Sequence, residues 1–193
     1  MSYRYQDLSE YDWLMPEVDR HETPQALALG ALLFDRLQPK SVLDVGCATG
    51  VYLVPFKDKG CQVYGVDGAP AAGSHLALSE FELVDLRNGW TPPQKYDLCL
   101  NIEVAEHLKP EYSEGLVELL SRCSDTIYFS AARPGQGGEG HYAERPKAEW
   151  LGMFSKYGIH EHSLSREIQQ AVNSGPEYEH CGWLRYNGML LGR

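Results

Sequence analysis

Basic residues are scarce in this chain: 17 Lys and Arg stand against 27 Asp and Glu, a net charge of −10. A protein that grips phosphate backbones or anionic lipid normally presents a basic face. The balance therefore weighs against nucleic acid or a membrane surface as partner. Long apolar runs are missing too, and none approaches the roughly 18 residues that a membrane span requires. Five cysteines (Cys47, Cys61, Cys99, Cys123 and Cys181) form an odd set with no C-x-x-C pair. That pattern argues against a disulfide framework or a zinc site and suits reduced thiols in a cytoplasmic protein. The opening MSYRYQDLSEYDWLMPEVDR is charged throughout, unlike a signal peptide. No internal repeat and no linker-like stretch divides the sequence.

What is present suits one globular domain over 1–193. The length, 193 residues, lies within the range of single cores, and 43% hydrophobic content can fill one. Residues 1–22 mix acids with Tyr3, Tyr5, Tyr11 and Trp13 and read as an arm or lid over a site. Thr23-Pro24 has the form of a helix start, an N-cap followed by proline. Beyond it, short apolar runs alternate with amphipathic ones. Strands are expected at Val42–Val45, Gln62–Val66, Phe81–Val84, Tyr96–Asn101 and Thr126–Ala131, with two more in Ile159–His162 and Trp183–Leu191. Helices are expected at Pro70–Ser79, Pro110–Cys123 and Lys147–Tyr157, and within Ser163–Pro176. Strand–helix alternation of this kind predicts an α/β fold, a doubly wound, mostly parallel seven-stranded sheet with helices on both faces.

In such a sheet, ligands sit outside the carboxyl ends of the strands. The first strand ends in LDVGCATG, where Asp44 is followed by small residues at Gly46, Ala48 and Gly50. The second ends at Asp67-Gly68, 23 residues after Asp44, and the third at Asp85-Leu86. Small residues let a backbone approach a ligand closely, and an acid at the second strand end suits the hydroxyls of a ribose. A turn kept small for packing alone gives the same local pattern. A nicotinamide dinucleotide would need G-x-G-x-x-G, and GCATGV lacks the second glycine. Taken together, these strand-end residues resemble the class I S-adenosylmethionine-dependent methyltransferases, a Rossmann-like superfamily, over roughly residues 20–193. The resemblance implies that backbone around Gly46, Cys47, Ala48 and Gly50 holds the methionine moiety of S-adenosylmethionine. It places Asp67 and Gly68 at the ribose, Asp85 and Leu86 beside the adenine, and Asp44 near the ammonium. Asn101, Ile102 and Glu103, at the fourth strand's exit, would border the cofactor.

That exit continues as NIEVAEHL. If it forms one helical turn, Glu103 faces Glu106 and His107. Farther on, a loop with four glycines in six residues carries His141, flanked by Gln136 and Tyr142, and should overhang the same place. Three readings are open: Glu106 and His107 are braces; His107, with Glu106 and His141, serves as a general base; or Glu103, Glu106, His107 and His141 hold a divalent metal. Motifs of the form E-x-x-E-H occur in ubiquinone-pathway O-methyltransferases and small-RNA 2′-O-methyltransferases, and also widely without metal, so the base is preferred. Two carboxylates beside His107 would raise its pKa. The expected function is methyl transfer to an oxygen or nitrogen of a small molecule. The alternatives are a metal-dependent RNA 2′-O-methyltransferase and a non-catalytic S-adenosylmethionine-binding protein.

Overall fold

A computed structural model describes residues 7–193; Tyr3 and Tyr5 of the expected arm lie outside the described residues. Seven strands form one sheet: β1 (Ser41–Val45), β2 (Gln62–Asp67), β3 (Phe81–Leu83), β4 (Leu98–Ile102), β5 (Thr126–Ser130), β6 (His160–Glu161) and β7 (Met189–Gly192). Their order is β3-β2-β1-β4-β5-β7-β6. All neighbours are parallel except β7, which runs antiparallel to both β5 and β6. In register, Val42 of β1 stands between Val63 of β2 and Leu98 of β4. Chain order reverses between β1 and β4, which makes their carboxyl ends the place for a ligand.

The period of two along each strand divides the core. Leu43, Val45, Cys99, Ile127 and Phe129 face α3 (Ser113–Cys123) and α4 (Lys147–Ser155), packing on Leu116, Leu120, Trp150 and Phe154. Val42, Leu98, Leu100 and Tyr128 face the other layer. That layer comprises α1 (Leu14–Leu37), α2 (Val54–Asp58), α5 (Ser165–Ser174) and α6 (Gly182–Asn187). Strands covered on both faces have no polar side, hence runs such as LCL and IYF. Among the described residues, no helix is long and apolar enough to cross a membrane.

Three elements differ from the sequence reading. The first helix begins at Leu14, and Pro24 lies inside it. An interior proline costs about 3 kcal/mol because it removes a backbone donor. Here Met15, Val18, Ala26, Leu29 and Leu33 bury one continuous stripe across it, which outweighs that loss. Thr23 Oγ1 and Gln25 Nε2 donate to the carbonyls of Asp19 and His21 on either side. Second, Pro70–Ser79 is a series of turns. Its donors are turned to the neighbouring loop, Gly73 N bonding Ala48 O at 2.8 Å and His75 N bonding Thr49 O at 2.9 Å. Third, the run from Trp183 is helical to Asn187 and becomes strand only at Met189. Leu184 and Asn187 are three apart and both buried, a helical spacing inside a run too apolar to show it.

Candidate active site

The turn after β1 is built for close approach. Gly46 has φ +81°, and a Cβ there would strike the side chain of Val104. Its N–H and that of Cys47 both donate to Val66 O. Ala48 has φ +45°, a left-handed conformation that costs roughly 1–2 kcal/mol outside glycine. The carboxylate of Asp67 holds it there, accepting Ala48 N at 2.9 Å through one oxygen and Ala69 N at 2.8 Å through the other. A carboxylate has about four lone-pair sites, so Asp67 keeps acceptor capacity.

Asp44 stands beneath this turn, 2% exposed. Burial, with the charge of Asp67 added, pushes its pKa up to about 8. Between the unfolded value near 4 and that folded value, the native state keeps a proton that the unfolded chain has lost. Stability therefore falls as pH rises through the window, by up to about 1.4 kcal/mol per pH unit. Glu106, raised to about 9, acts in the same sense. His107, lowered from 6.5 to about 4, acts oppositely, but only between those two values. The melting temperature of the ligand-free protein is thus expected to fall from pH 6.5 to pH 8, and less steeply in Asp44→Asn. Equal slopes for the two proteins would contradict the assignment.

The sequence-expected residues are not all brought to one surface. Asp44, Gly46, Cys47, Ala48, Asp67, Gly68, Asp85, Leu86, Ile102 and Glu103 line one cavity of about 510 Å³. Gly50 and Asn101 stand behind it. Gly50, at φ +85°, packs toward Leu76, and Asn101 Nδ2 braces Val45 O at 2.7 Å. Asp85 is clamped by Arg87, whose Nε and Nη2 reach its two oxygens at 2.7 Å each and hold its pKa below the ordinary value.

At the β4 exit the expected helical turn from Glu103 does not form. Glu103 takes φ +51°, with its N–H on Ser130 O, and a short 3₁₀ turn begins only at Ala105. This turns the Glu103 carboxylate toward Asn187 Nδ2 (3.1 Å) and Gln136 Nε2 (3.2 Å). Glu106 is fully buried and does not line the cavity; one oxygen accepts Ala132 N at 3.0 Å, and the other has no hydrogen-bond partner. Burial, then the charge of Glu103, raises its pKa to about 9. His107 also departs from expectation. Burial, then neighbouring His141, push its pKa down to about 4 against a hydrogen bond with the Gly140 backbone.

The glycine-rich loop does overhang the site. Tyr142 N and Ala143 N donate to Glu106 O, pinning the loop to the β4 exit. His141 and His107 meet edge to face with ring centroids 4.9 Å apart, and Tyr11 meets His107 likewise at 5.5 Å. His141 Nδ1 lies 3.1 Å from Glu144 Oε1, and Glu144 also accepts the N–H groups of Gly135 and Gly137. Gly138, at φ +155°, leaves the space that the His141 ring occupies. Gln136, His141 and Tyr142 line the cavity from this side, while Leu8, Tyr11, Trp13, Met15, Val18 and Glu22 line it from the amino-terminal segment.

Sequence reasoning missed Glu144, Glu22, Tyr52 and Asn187. Glu144 had a local signal, three residues after His141. Glu22 and Tyr52, joined at 3.0 Å, and Asn187 meet the site only through folding.

Comparison with known proteins bears on family and fold. Residues 18–172 match the family model described as a methyltransferase domain. A ubiquinone biosynthesis O-methyltransferase of Rhodopseudomonas palustris (strain BisA53) is 35% identical over 91 residues, 39% of this chain and 35% of that protein. The alignment thus spans about a third of that curated relative. The sugar N-methyltransferase KedS8 from Streptoalloteichus sp. ATCC 53650 superposes with TM-score 0.71 at 14% identity, covering 100% of this chain and 96% of that one. Magnesium protoporphyrin IX methyltransferase from Synechocystis PCC 6803, solved with bound S-adenosylmethionine, gives 0.63 at 18% identity, covering 99% and 98%. At such identities the structures speak for the fold, and the family model for membership: the chain belongs to the methyltransferase domain family, within the class I S-adenosylmethionine-dependent methyltransferases.

Proposed function

We propose that this protein transfers the methyl group of S-adenosylmethionine to an oxygen or nitrogen of a small molecule bound in the same cavity. The observation that carries this reading is the convergence of three strand-end acids and the Gly46–Ala48 turn on one side of the cavity, with His141 on the other. The residues fit the cofactor. Asp67 has acceptor sites left for ribose hydroxyls, Gly46 leaves the approach open, and Leu86 and Val84 offer apolar surface for a base. They do not fit a dinucleotide, whose pyrophosphate would face Asp44 and Asp67, with Ala48 N–H already bonded. When bound, the cofactor supplies a methyl group activated on a sulfonium sulfur.

The chain's own part is positioning and proton removal. The Glu144 carboxylate keeps the proton of His141 on Nδ1, leaving Nε2 as the acceptor for a proton from the substrate. His107, neutral across the physiological range, packs edge-on against that ring and fixes its plane. Tyr11, Trp13 and Met15 cover the cavity and exclude water, and holding two partners in contact supplies much of the acceleration.

One observation favours a second reading. Ligand atoms of Glu106, His107 and His141 lie within 4.8 Å of one another, and Glu106 Oε2 and His107 Nδ1 have no hydrogen-bond partner. These three would hold a divalent ion that polarises a substrate hydroxyl, and their nitrogen ligands suit the later transition metals better than magnesium. Glu103, which the sequence reading placed in that set, lies outside it, turned to Asn187.

Crystals grown with S-adenosylhomocysteine test the reading. Its ribose is expected at Asp67, its adenine between Asp85 and Leu86, and its sulfur facing His141. Density outside this cavity would overturn the proposal.

A further inference from the structure

Among the described residues no lysine or arginine lines the cavity, yet seven carboxylates do. Asp44, Asp67 and Asp85 belong to the cofactor end. Glu22 and Glu103 are a second pair, and each is fixed only by neutral donors. Glu22 is projected by α1 and accepts the Tyr52 hydroxyl at 3.0 Å; Glu103 accepts the Asn187 and Gln136 amides. The two sense each other. Burial raises the pKa of Glu22, and the charge of Glu103 adds to that rise against the opposing Tyr52 hydrogen bond. Arg4 is the one Lys or Arg outside the described residues.

Two fixed carboxylates with no lysine or arginine lining the cavity among the described residues leave the site short of positive charge. An anionic acceptor entering it would meet like charge, which disfavours it. A neutral acceptor would leave both acids without a counter-charge. A cation relieves both. The walls suit one, because Tyr11, Trp13, Tyr52 and Trp183 line the same cavity, and aromatic rings attract ammonium groups.

We propose that the methyl acceptor carries a protonated amine on an apolar or aromatic body, with Glu22 and Glu103 as the counter-charges that anchor it. This rests on the methyl-transfer reading of the cavity. Its competitor is that the ammonium of the cofactor itself satisfies Glu22.

Calorimetry on the full chain separates these cases. The protein saturated with S-adenosylhomocysteine is titrated with 2-phenylethylamine, 2-phenylethanol and phenylacetate at pH 7.5, in the natural form and as Glu22→Gln. The amine is expected to bind at least tenfold more tightly than the alcohol, and phenylacetate not measurably. Glu22→Gln should remove most of that preference while changing S-adenosylhomocysteine affinity less than threefold. The proposal is overturned if the alcohol or phenylacetate matches the amine, or if Glu22→Gln weakens S-adenosylhomocysteine tenfold. If S-adenosylhomocysteine fails to bind the natural protein, the methyl-transfer reading falls. The same three titrations on the ligand-free protein then decide the amine preference alone.

Discussion

His141→Ala is expected to lower kcat by about 10²–10⁴-fold, the usual contribution of a positioned general base. The geometry singles out His141 over His107. His141 has a carboxylate on Nδ1, and Gly138, with no side chain, leaves room at its other nitrogen, whereas burial holds His107 to a pKa of about 4, where it is a poor proton acceptor. His107→Ala should therefore cost less, through loss of the edge-on contact that holds the His141 ring. Glu144→Gln should fall between the two. Because Glu144 acts through His141, this variant should also move the acid limb of the rate–pH profile, which a merely structural loop anchor would leave in place. A chelator distinguishes the readings: the base account expects full activity in its presence. Activity abolished by chelation and restored by manganese or zinc would transfer His141 and His107 to the metal reading. Full activity in both histidine variants would remove both mechanisms and leave positioning alone.

Much of this site was written locally. Asp44, Asp67 and Asp85 each follow an apolar run, so a chain read two residues at a time already places them at strand ends, and alternation of runs orders the sheet. What escaped depended on distant partners. Thr23-Pro24 has the chemistry of a helix start, but burial of Met15 and Val18 carries the helix through it. Pro70–Ser79 has helical composition, but its backbone donors are captured by Ala48 and Thr49. The spacing of Glu103, Glu106 and His107 suggests one helical turn, but the positive φ of Glu103 breaks it and the 3₁₀ turn starts only at Ala105. The shift of His107 reversed its expected direction for a related reason: folding buries the imidazole beside His141, and both effects disfavour its charged form. Gly50 and Asn101 matched a cofactor pattern by position while serving the turn behind the cavity. Sequence shows residue types at strand ends; which way a side chain turns there is decided by contacts such as Asn187 on Glu103.

Asp67 concentrates the central claim, because it both fastens the Ala48 turn and faces the cavity with acceptor sites unused. A lost hydrogen bond to a charged group costs roughly 1.5–3 kcal/mol, about ten- to a hundredfold in affinity. Asp67→Asn keeps the side-chain shape but gives up one of the two acceptors that hold the Ala48 and Ala69 N–H groups, so a melting curve on it and on Asp67→Ala separates lost binding from a disturbed turn. The most direct measurement is calorimetric titration of S-adenosylhomocysteine into the natural protein and into Asp67→Asn. The account expects saturable binding to the natural protein and binding at least tenfold weaker to a folded Asp67→Asn. Undiminished affinity in that variant, or a nicotinamide dinucleotide binding the natural protein as tightly as S-adenosylhomocysteine, would contradict it.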